Sequence, residues 1–359
     1  MKKLVLDQVH QDLGGKMVDF AGFNMPVQYE GLKAEHIHVR EKVGVFDVSH
    51  MGEFFVSGEG SLEFLQKTTS NDVSKLSPGK IQYSCLPNND GGIVDDLLVY
   101  CLGEEEYLLV VNASNIEKDY KWLDSHRPEG VKLDDQSADW SLFAVQGPKA
   151  SEALQSTTET DLAAMKYYTF EMGEIGGAEA IISATGYTGA GGFEIYVKNE
   201  NAQKVWEAIF AAGADFDIKP IGLGARDTLR MEMGFCLYGN DIDDSTSPLE
   251  AGLGWITKFS KDFINSDALQ TQKELGVNRR LTGFVMEDRG IPRKDYRILN
   301  ADGEEIGVVT SGTQSPSLNK AIGLGYLNKP YNAPDTEIFI EVRNKQLKAK
   351  VSKPPFLAK

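Results

Sequence analysis

The 359-residue chain reads as an α+β protein that ends in a small antiparallel β-barrel. Three observations predict this. Residues 80–112 carry three strand signals in succession behind a helical segment. The stretch VSGEGSLEFLQ (56–66) is echoed by VQGPKASEALQ (145–155). After residue 276 the chain breaks into short strand-like pieces with little helix.

Taken in order, KAEHIHVREKVG (33–44) has a helical pattern that stops at Gly44, after which FDVSHMGEFFVSG turns to strand alternation. A helix is expected over 59–67. KIQYSCL (80–86), IVDDLLVY (93–100) and EYLLVVN (106–112) follow as strands. NNDGG (88–92) and GEE (103–105) supply the turns, so an antiparallel meander is expected. ASNIEKDYKWLDSH (113–126) reads as helix and WSLFAVQG (140–147) as the next strand. The two echoing stretches match at Val56/Val145, Gly58/Gly147, Glu63/Glu152, Leu65/Leu154 and Gln66/Gln155. Both read as strand, glycine turn and helix, a pattern that two related units or convergent punctuation explain equally well. RRLTGFVME, GEEIGVVTSG, AIGLGYL, TEIFIEVR and QLKAKVS supply the strands of the barrel.

Composition narrows the function classes. With 41% hydrophobic and 25% charged residues the chain is an ordinary soluble globular protein. At about 100–200 residues per domain its length predicts two or three domains. No apolar run approaches the roughly 18–20 residues that span a bilayer, and MKKLVLDQVH is too short for a signal-peptide core, so no membrane association is expected. Cys85, Cys101 and Cys236 form no CxxC pair, which fits a reducing cytoplasm. A net charge of −16 argues against a nucleic-acid partner, whose backbone demands a basic surface. The last twenty residues nonetheless carry Arg343, Lys345, Lys348, Lys350, Lys353 and Lys359 against Glu341. They read either as a patch for an anion or acidic partner, or as a solubilising strand face with a tail.

GGIVDDLLVY (91–100) sets Asp95 and Asp96 side by side in an apolar run. Alternate strand residues share a face, so Asp96 goes with Val94, Leu98 and Tyr100, and Asp95 with Ile93, Leu97 and Val99. Each carboxylate interrupts a face that would otherwise be buried, so at least one should sit in a pocket or be paired. Counting back from the turns places Leu86 opposite Ile93 and Leu102 opposite Glu106. Tyr83, Asp96 and Asn112 then line up across three strands, with Leu98, Tyr100 and Val110 on the same face. Such a face suits a flat heterocycle, with aromatic and aliphatic walls, one carboxylate and one carboxamide. Asp95 points the other way and reads as a structural acceptor.

These motifs come in order with VDFAGFNMPVQY (18–29), VREKVGVFDVSHMGEF (39–54), LLVVNASNIEKD (108–119), TGYTGAGGFEIY (185–196), GLGARDTLRMEMGFCLYGNDID (222–243), PLEAGLGW (248–255) and VVTSGTQSPSLNKAIGLGYL (308–327). In that combination the chain resembles, essentially end to end, the T-protein of the glycine cleavage system, a family of tetrahydrofolate-dependent aminomethyltransferases. The resemblance implies a three-domain cloverleaf with the folate pocket at its centre. Its parts would be a discontinuous α+β domain (1–50 plus 140–260), a related, ferredoxin-like α+β domain carrying the Asp96 meander (51–139), and the antiparallel barrel (276–359). It implies Asp96 as the catalytic residue and Tyr83, Leu98, Tyr100, Val110, Asn112, Tyr187, Glu194 and Arg226 as folate contacts. A carboxylate such as Glu194 can take the planar donor edge of a pterin through two parallel hydrogen bonds, and Arg226 offers always-charged donors. From the residues alone, Arg226 reads first as an ion-pair partner of Asp227 or Glu232.

The implied reaction takes an aminomethyl group from the lipoyl sulfur of a carrier H-protein. Tetrahydrofolate, as co-substrate, receives the one-carbon unit; ammonia is released and 5,10-methylenetetrahydrofolate forms. No metal is needed, the lipoyl group belongs to the H-protein, and a monomer that docks transiently is expected. A carboxylate near the carbon lowers the barrier as positive charge develops there, the role expected of Asp96, with Tyr83 and Asn112 orienting it or the folate. Two other readings stand beside this one. A non-catalytic folate-binding relative linked to iron–sulfur protein maintenance would carry K-G-C-Y-x-G-Q-E where this chain has SPLEAGLGW. A folate-dependent demethylase is usually fused to a flavin dehydrogenase, and no dinucleotide fingerprint is present here. The chain departs from the family in having Ala190-Gly191-Gly192 after TGYTG in place of acidic residues. It also has Leu357-Ala358-Lys359 after Phe356 where an arginine is common, leaving Lys353 or Lys359 as its replacement.

Other residues read as structure. Glu35, His36 and His38 do not share one helix face and so make a poor metal site. His50 has no acid or nucleophile at triad spacing. Cys85 has nothing near it to activate a thiolate. GYTGAGG and GLGARD lack phosphate-loop endings.

Overall fold

The computed structural model describes residues 1–357. The chain divides into two compact units. One comprises residues 1–65, 73–83 and 97–227; the other comprises residues 66–72 and 84–96 together with everything from 228 on.

The first unit is built around sheets. A six-stranded sheet runs in the order Phe170–Ile175, Ala178–Ser183, Gly192–Lys198, Trp140–Gln146, Gly44–Asp47 and Lys219–Pro220. A five-stranded sheet runs Ile81–Pro87, Ile93–Gly103, Glu106–Val111, Gly52–Ser57 and Lys132–Asp135; its residues 84–87 and 93–96 count with the second unit. The meander expected over 80–112 is there, and it is extended by the two further strands. Alternation divides the six-stranded sheet cleanly. Val45, Phe143, Val145, Ile182 and Ile195 go to the core shared with Val205, Trp206 and Ile209 of helix Ala202–Ala212. The opposite face meets the five-stranded sheet. There Tyr100 packs on Tyr196 and Phe170, with ring centroids 5.7 and 5.3 Å away, and Phe55 stacks on Trp140.

FDVSHMGEFFVSG, one alternating stretch in sequence, is two strands in two different sheets. The break falls at Val48–Met51, where the Asp47 carboxylate takes the Ser49 N–H at 3.0 Å and the Ser49 hydroxyl at 2.6 Å. This is a side-chain-to-backbone turn that periodicity cannot see. The preceding helix is Leu32–Glu41, not the longer one expected to Gly44. Gly44 already belongs to a strand, packed so tightly that a Cβ there would lie 2.3 Å from Ile221. Glu35 accepts the N–H groups of Tyr29, Gly31 and Gly222 at 2.7–2.9 Å, and His38 Nε2 meets the Asp217 carbonyl at 2.7 Å. Both side chains tie segments together. His10 does likewise between the Asp47 carboxylate (2.8 Å) and the Tyr29 hydroxyl (2.9 Å).

The echoing stretches fold alike. Gly58 and Gly147 each end a strand and precede a helix at φ of +104° and +132°. A Cβ would fall 2.4 Å from the Gly130 carbonyl oxygen in one and 2.2 Å from that of Lys42 in the other. Only glycine fits both the conformation and the space.

In the second unit the strands Arg279–Met286, Lys320–Asn328, Glu305–Ser315, Arg297–Leu299, Glu337–Val342 and Lys345–Val351 close into a barrel. Arg297–Leu299 was not expected; three residues are too few for alternation to register. Register shifts at Ile298/Leu299 and Val309/Ser311 bend the strands toward closure. The basic C-terminal strand is already paired. Lys348 meets Glu337 and Glu287 at 2.6 and 3.5 Å, and Lys350 meets Asp335 at 3.1 Å. These pairs at Lys348 and Lys350 fit the reading of a solubilising strand face. Lys353 is exposed, and Lys359 lies outside the described residues. No helix among the described residues is long and apolar enough to cross a membrane.

Arg230, 1% exposed, fastens its helix Leu223–Met233 to the barrel. Its Nη1 donates to Asp241 Oδ2 (2.7 Å) and the Phe235 carbonyl (2.9 Å), and its Nη2 donates to Ser311 Oγ (3.1 Å). Asp241 also accepts from the Thr310 hydroxyl and the Leu237 N–H. Arg230→Met strands a buried carboxylate, and urea unfolding of this variant is expected to show a loss of about 3–5 kcal/mol. An unchanged midpoint would remove the pair from any structural role.

Candidate active site

Strand Ile93–Gly103 carries both aspartates. Asp95 is wholly buried and Asp96 half-buried, on the same alternate positions as half-buried Leu98. The Asp96 charge reaches the Cys85 and Cys236 thiols. Burial first pushes both well above their ordinary range, with Asp96 next at Cys85 and Asp241 then Asp96 next at Cys236. Neither cysteine has the environment of a nucleophile.

Farther along the same strand Leu98 pairs with Val110 and Tyr100 with Leu108, the register counted from the turns. At the turn itself a bulge between Cys101 and Gly103 puts Gly103 rather than Leu102 opposite Glu106. Val110 in turn pairs with Glu53, so Leu98, Val110 and Glu53 form a row across three strands. Half-buried Tyr83 stands on the neighbouring strand, and half-buried Asn112 opens the short 3-10 turn Ala113–Asn115. Tyr100 is not an open wall of this face. It is fully buried, with its hydroxyl 2.9 Å from both Ser183 Oγ and the Tyr196 hydroxyl.

The TGYTG segment is a loop held from beneath. Gln146 donates to the Thr185 carbonyl (3.1 Å) and accepts from the Thr188 hydroxyl (2.8 Å), while Arg40 donates to the Thr188 carbonyl. A Cβ at Gly186 would lie 2.0 Å from the Gln146 amide and displace the side chain that holds the loop. The loop presents Tyr187, and the Arg226 guanidinium sits 4.3 Å from its ring centroid. A guanidinium over an aromatic face is held by the ring quadrupole.

Glu194 is 9% exposed on strand Gly192–Lys198, between Ser183 and Ala144 of its neighbours. Burial raises its pKa, and the Thr185 hydrogen bond at 2.5 Å and the Arg226 charge act against that rise. His50 is buried against the edges of Phe20 and Phe23. Burial, reinforced by Arg226, pulls its pKa down to about 3, so it is neutral and serves packing.

Three features escaped sequence reasoning. The first is Thr185, with Ser183 and Tyr196 behind it; alternation from Glu194 to Tyr196 offered the signal. The second is Tyr168, at φ +65°, a conformation costly for an aromatic residue. It is pinned by its N–H to the Ala184 carbonyl and by its own carbonyl to the Ile81 N–H. The third is Glu53, wholly buried with neither carboxyl oxygen hydrogen-bonded.

Burial, with Asp135 adding to it, pushes the Glu53 carboxyl well above the 4.5 of a free glutamate. A raised carboxyl pKa means the folded state keeps a proton that the unfolded chain releases. Stability from this group is therefore full below about pH 4.5 and is lost as pH rises through the folded-state value. Glu53→Gln is expected to be more stable than the parent at alkaline pH, the gap closing as pH falls toward that of a free glutamate. Urea midpoints across that range check it, and a pH-independent gap would contradict it.

Comparison with known proteins bears on the whole chain. Residues 6–261 match the family described as GCVT N-terminal domain, and residues 279–357 match the glycine cleavage T-protein C-terminal barrel domain. The chain is 61% identical over 360 residues to an aminomethyltransferase of Flavobacterium psychrophilum, covering 100% of both. It is 59% identical over 359 residues to one of Bacteroides thetaiotaomicron, covering 99% of each. It is also similar to the crystal structure of glycine cleavage system aminomethyltransferase T from Bartonella henselae, with a TM-score of 0.93, 32% identity, and coverage of 99% and 98% of the two chains.

Proposed function

Since the chain belongs to the glycine cleavage T-protein family, we propose that it is an aminomethyltransferase of that system, moving a one-carbon unit from a lipoyl-borne aminomethyl group on an H-protein to tetrahydrofolate. The observation that carries the reading is Glu194, a buried carboxylate beside an arginine stacked on Tyr187. A folate presents a planar amino and ring N–H edge, which an acceptor-only carboxylate matches through paired hydrogen bonds. Arg226 offers fixed donors to a ring oxygen or to the glutamyl tail. Leu98 and Val110 supply aliphatic surface that excludes water, and Tyr83 and Asn112 supply orienting polar groups.

When bound, tetrahydrofolate supplies the nitrogen that takes the carbon. The chain's own residues place it and shape the field around it. Asp96 sets a carboxylate where positive charge grows as the carbon–nitrogen bond to departing ammonia weakens, and its second task is to hold the N10 proton. Aliphatic neighbours strengthen its field by excluding water. Most of the acceleration comes from positioning the two reactants. Asp95, wholly buried on the opposite face, is architecture.

Asp96→Asn is expected to keep folate affinity within about tenfold, about 1.4 kcal/mol, while losing most ammonia release from aminomethyl-loaded H-protein. A larger loss from Asp95→Asn would reverse the two assignments. Ammonia release itself separates this function from a non-catalytic folate binder and from a demethylase.

A further inference from the structure

Four hydroxyls run in line to Glu194 between the two sheets of the first unit. Tyr196 and Tyr100 are 2.9 Å apart, Tyr100 and Ser183 2.9 Å, Ser183 and Thr185 2.6 Å, and Thr185 reaches Glu194 Oε2 at 2.5 Å. Ser183, Tyr100 and Tyr196 are 0% exposed and Thr185 3%, so bulk water cannot stand in for a missing link.

Each hydroxyl has one proton to give. An ionised carboxylate only accepts, so Thr185 donates to Glu194. Ser183 must then donate to Thr185, Tyr100 to Ser183, and Tyr196 to Tyr100. One negative charge thus sets the direction of every bond, and the aligned dipoles all stabilise that charge. If Glu194 were protonated and donated to Thr185, the whole series would have to turn round.

We infer that this ordered hydroxyl relay is a specificity device. Thr185, Ser183, Tyr100 and Tyr196 are positioning residues that keep Glu194 an acceptor-only carboxylate, selecting ligands with a two-donor heterocyclic edge. The inference rests on the reading of Glu194 as a folate contact. It uses a face of Tyr100 other than a pocket wall, and it gives work to a buried threonine that touches no reacting atom.

The groups facing Glu194 are Thr185 beyond the adjacent strand, Arg226 from its helix, Tyr100 from the other sheet, Tyr196 on its own strand, and Tyr167 and Tyr168. Glu53, whose own carboxyl is pushed up by burial, bears on Tyr196 at the far end. Burial pushes the Tyr100, Tyr168 and Tyr196 hydroxyls up, so they stay neutral, and exposed Tyr167 stays neutral as an ordinary phenol does; Arg226 is the charge that acts on Glu194. Removing the Thr185 hydroxyl lets burial raise the proton affinity of Glu194 further. A donor-edge ligand then binds worst at low pH and recovers as pH rises and Glu194 ionises.

The test is anaerobic calorimetric titration of the full chain with tetrahydrofolate across the neutral pH range, with steady-state kinetics alongside. Thr185→Val is expected to weaken binding about tenfold at neutral pH, the scale of one hydrogen bond to a charged group, with the loss carried by KM rather than kcat. The deficit should narrow as pH rises, and Thr185→Ser should restore both affinity and pH profile. Ser183→Ala, one link farther out, should show a smaller loss in the same direction, and it serves if the valine variant does not fold. A Thr185→Val deficit equal at every pH, or one that serine does not rescue, would mark a packing role and overturn the inference. Glu194→Gln separates the two layers. If it loses folate while Thr185→Val binds normally, the relay is wrong; if it binds folate like the parent, the folate reading of Glu194 fails and takes the relay with it.

Discussion

A carboxylate buried between two sheets has to be satisfied from inside the protein, and in the first unit that requirement organises much else. Glu194 is answered by Thr185 and, through Ser183, by Tyr100 of the five-stranded sheet. The hydrogen bonds cross from one sheet to the other at the place where Tyr100 packs on Tyr196 and Phe170. The polar and apolar contacts between the sheets therefore fix the same geometry. An apolar seam alone would let the sheets slide, because dispersion and burial are nearly indifferent to small displacements; hydrogen bonds at 2.5–2.9 Å are not.

The same device recurs wherever the chain must join segments distant in sequence. Glu35 gathers three N–H groups from two separate loops, and Asp47 and Tyr29 hold His10 between them. In the second unit Arg230 and Asp241 collect a helix end, a loop and a barrel strand into one charged knot. Each is a buried charged or polar group with most of its bonding capacity met, which is how such a group escapes its desolvation cost. Glu53, with neither carboxyl oxygen hydrogen-bonded, instead has its pKa pushed up by burial.

Much of the architecture was legible because periodicity is a local signal. The meander of Ile81–Pro87, Ile93–Gly103 and Glu106–Val111, the helix after it, and five of the six barrel strands stand where alternation and turn residues put them. What periodicity could not resolve was a boundary set by a distant contact. Gly44 is strand because Ile221 leaves no room for a side chain, and the stretch around Val48 breaks because Asp47 caps Ser49. The bulge at Cys101 shifted the turn without disturbing the Leu98–Val110 pair, since the apolar face pins the register away from the turn. The acidic partners of Lys348 and Lys350, Glu287, Glu337 and Asp335, lie elsewhere in the sequence, so local charge reading could not see these pairs.

The sequence by itself determined that Asp95 and Asp96 face opposite ways, because a strand side-chain period of two allows nothing else. It also carried the family resemblance, and with it Glu194 and Arg226 as residues to watch. Only the tertiary structure decided that Asp95 is sealed and Asp96 half-open, that Arg226 lies on the ring of Tyr187, and that Glu194 ends a line of four hydroxyls. The physical reason is range. Alternation, turn chemistry and local charge act over a few residues, whereas burial and proton-ordered hydrogen bonding depend on which distant segments the fold brings within about 3 Å of one another.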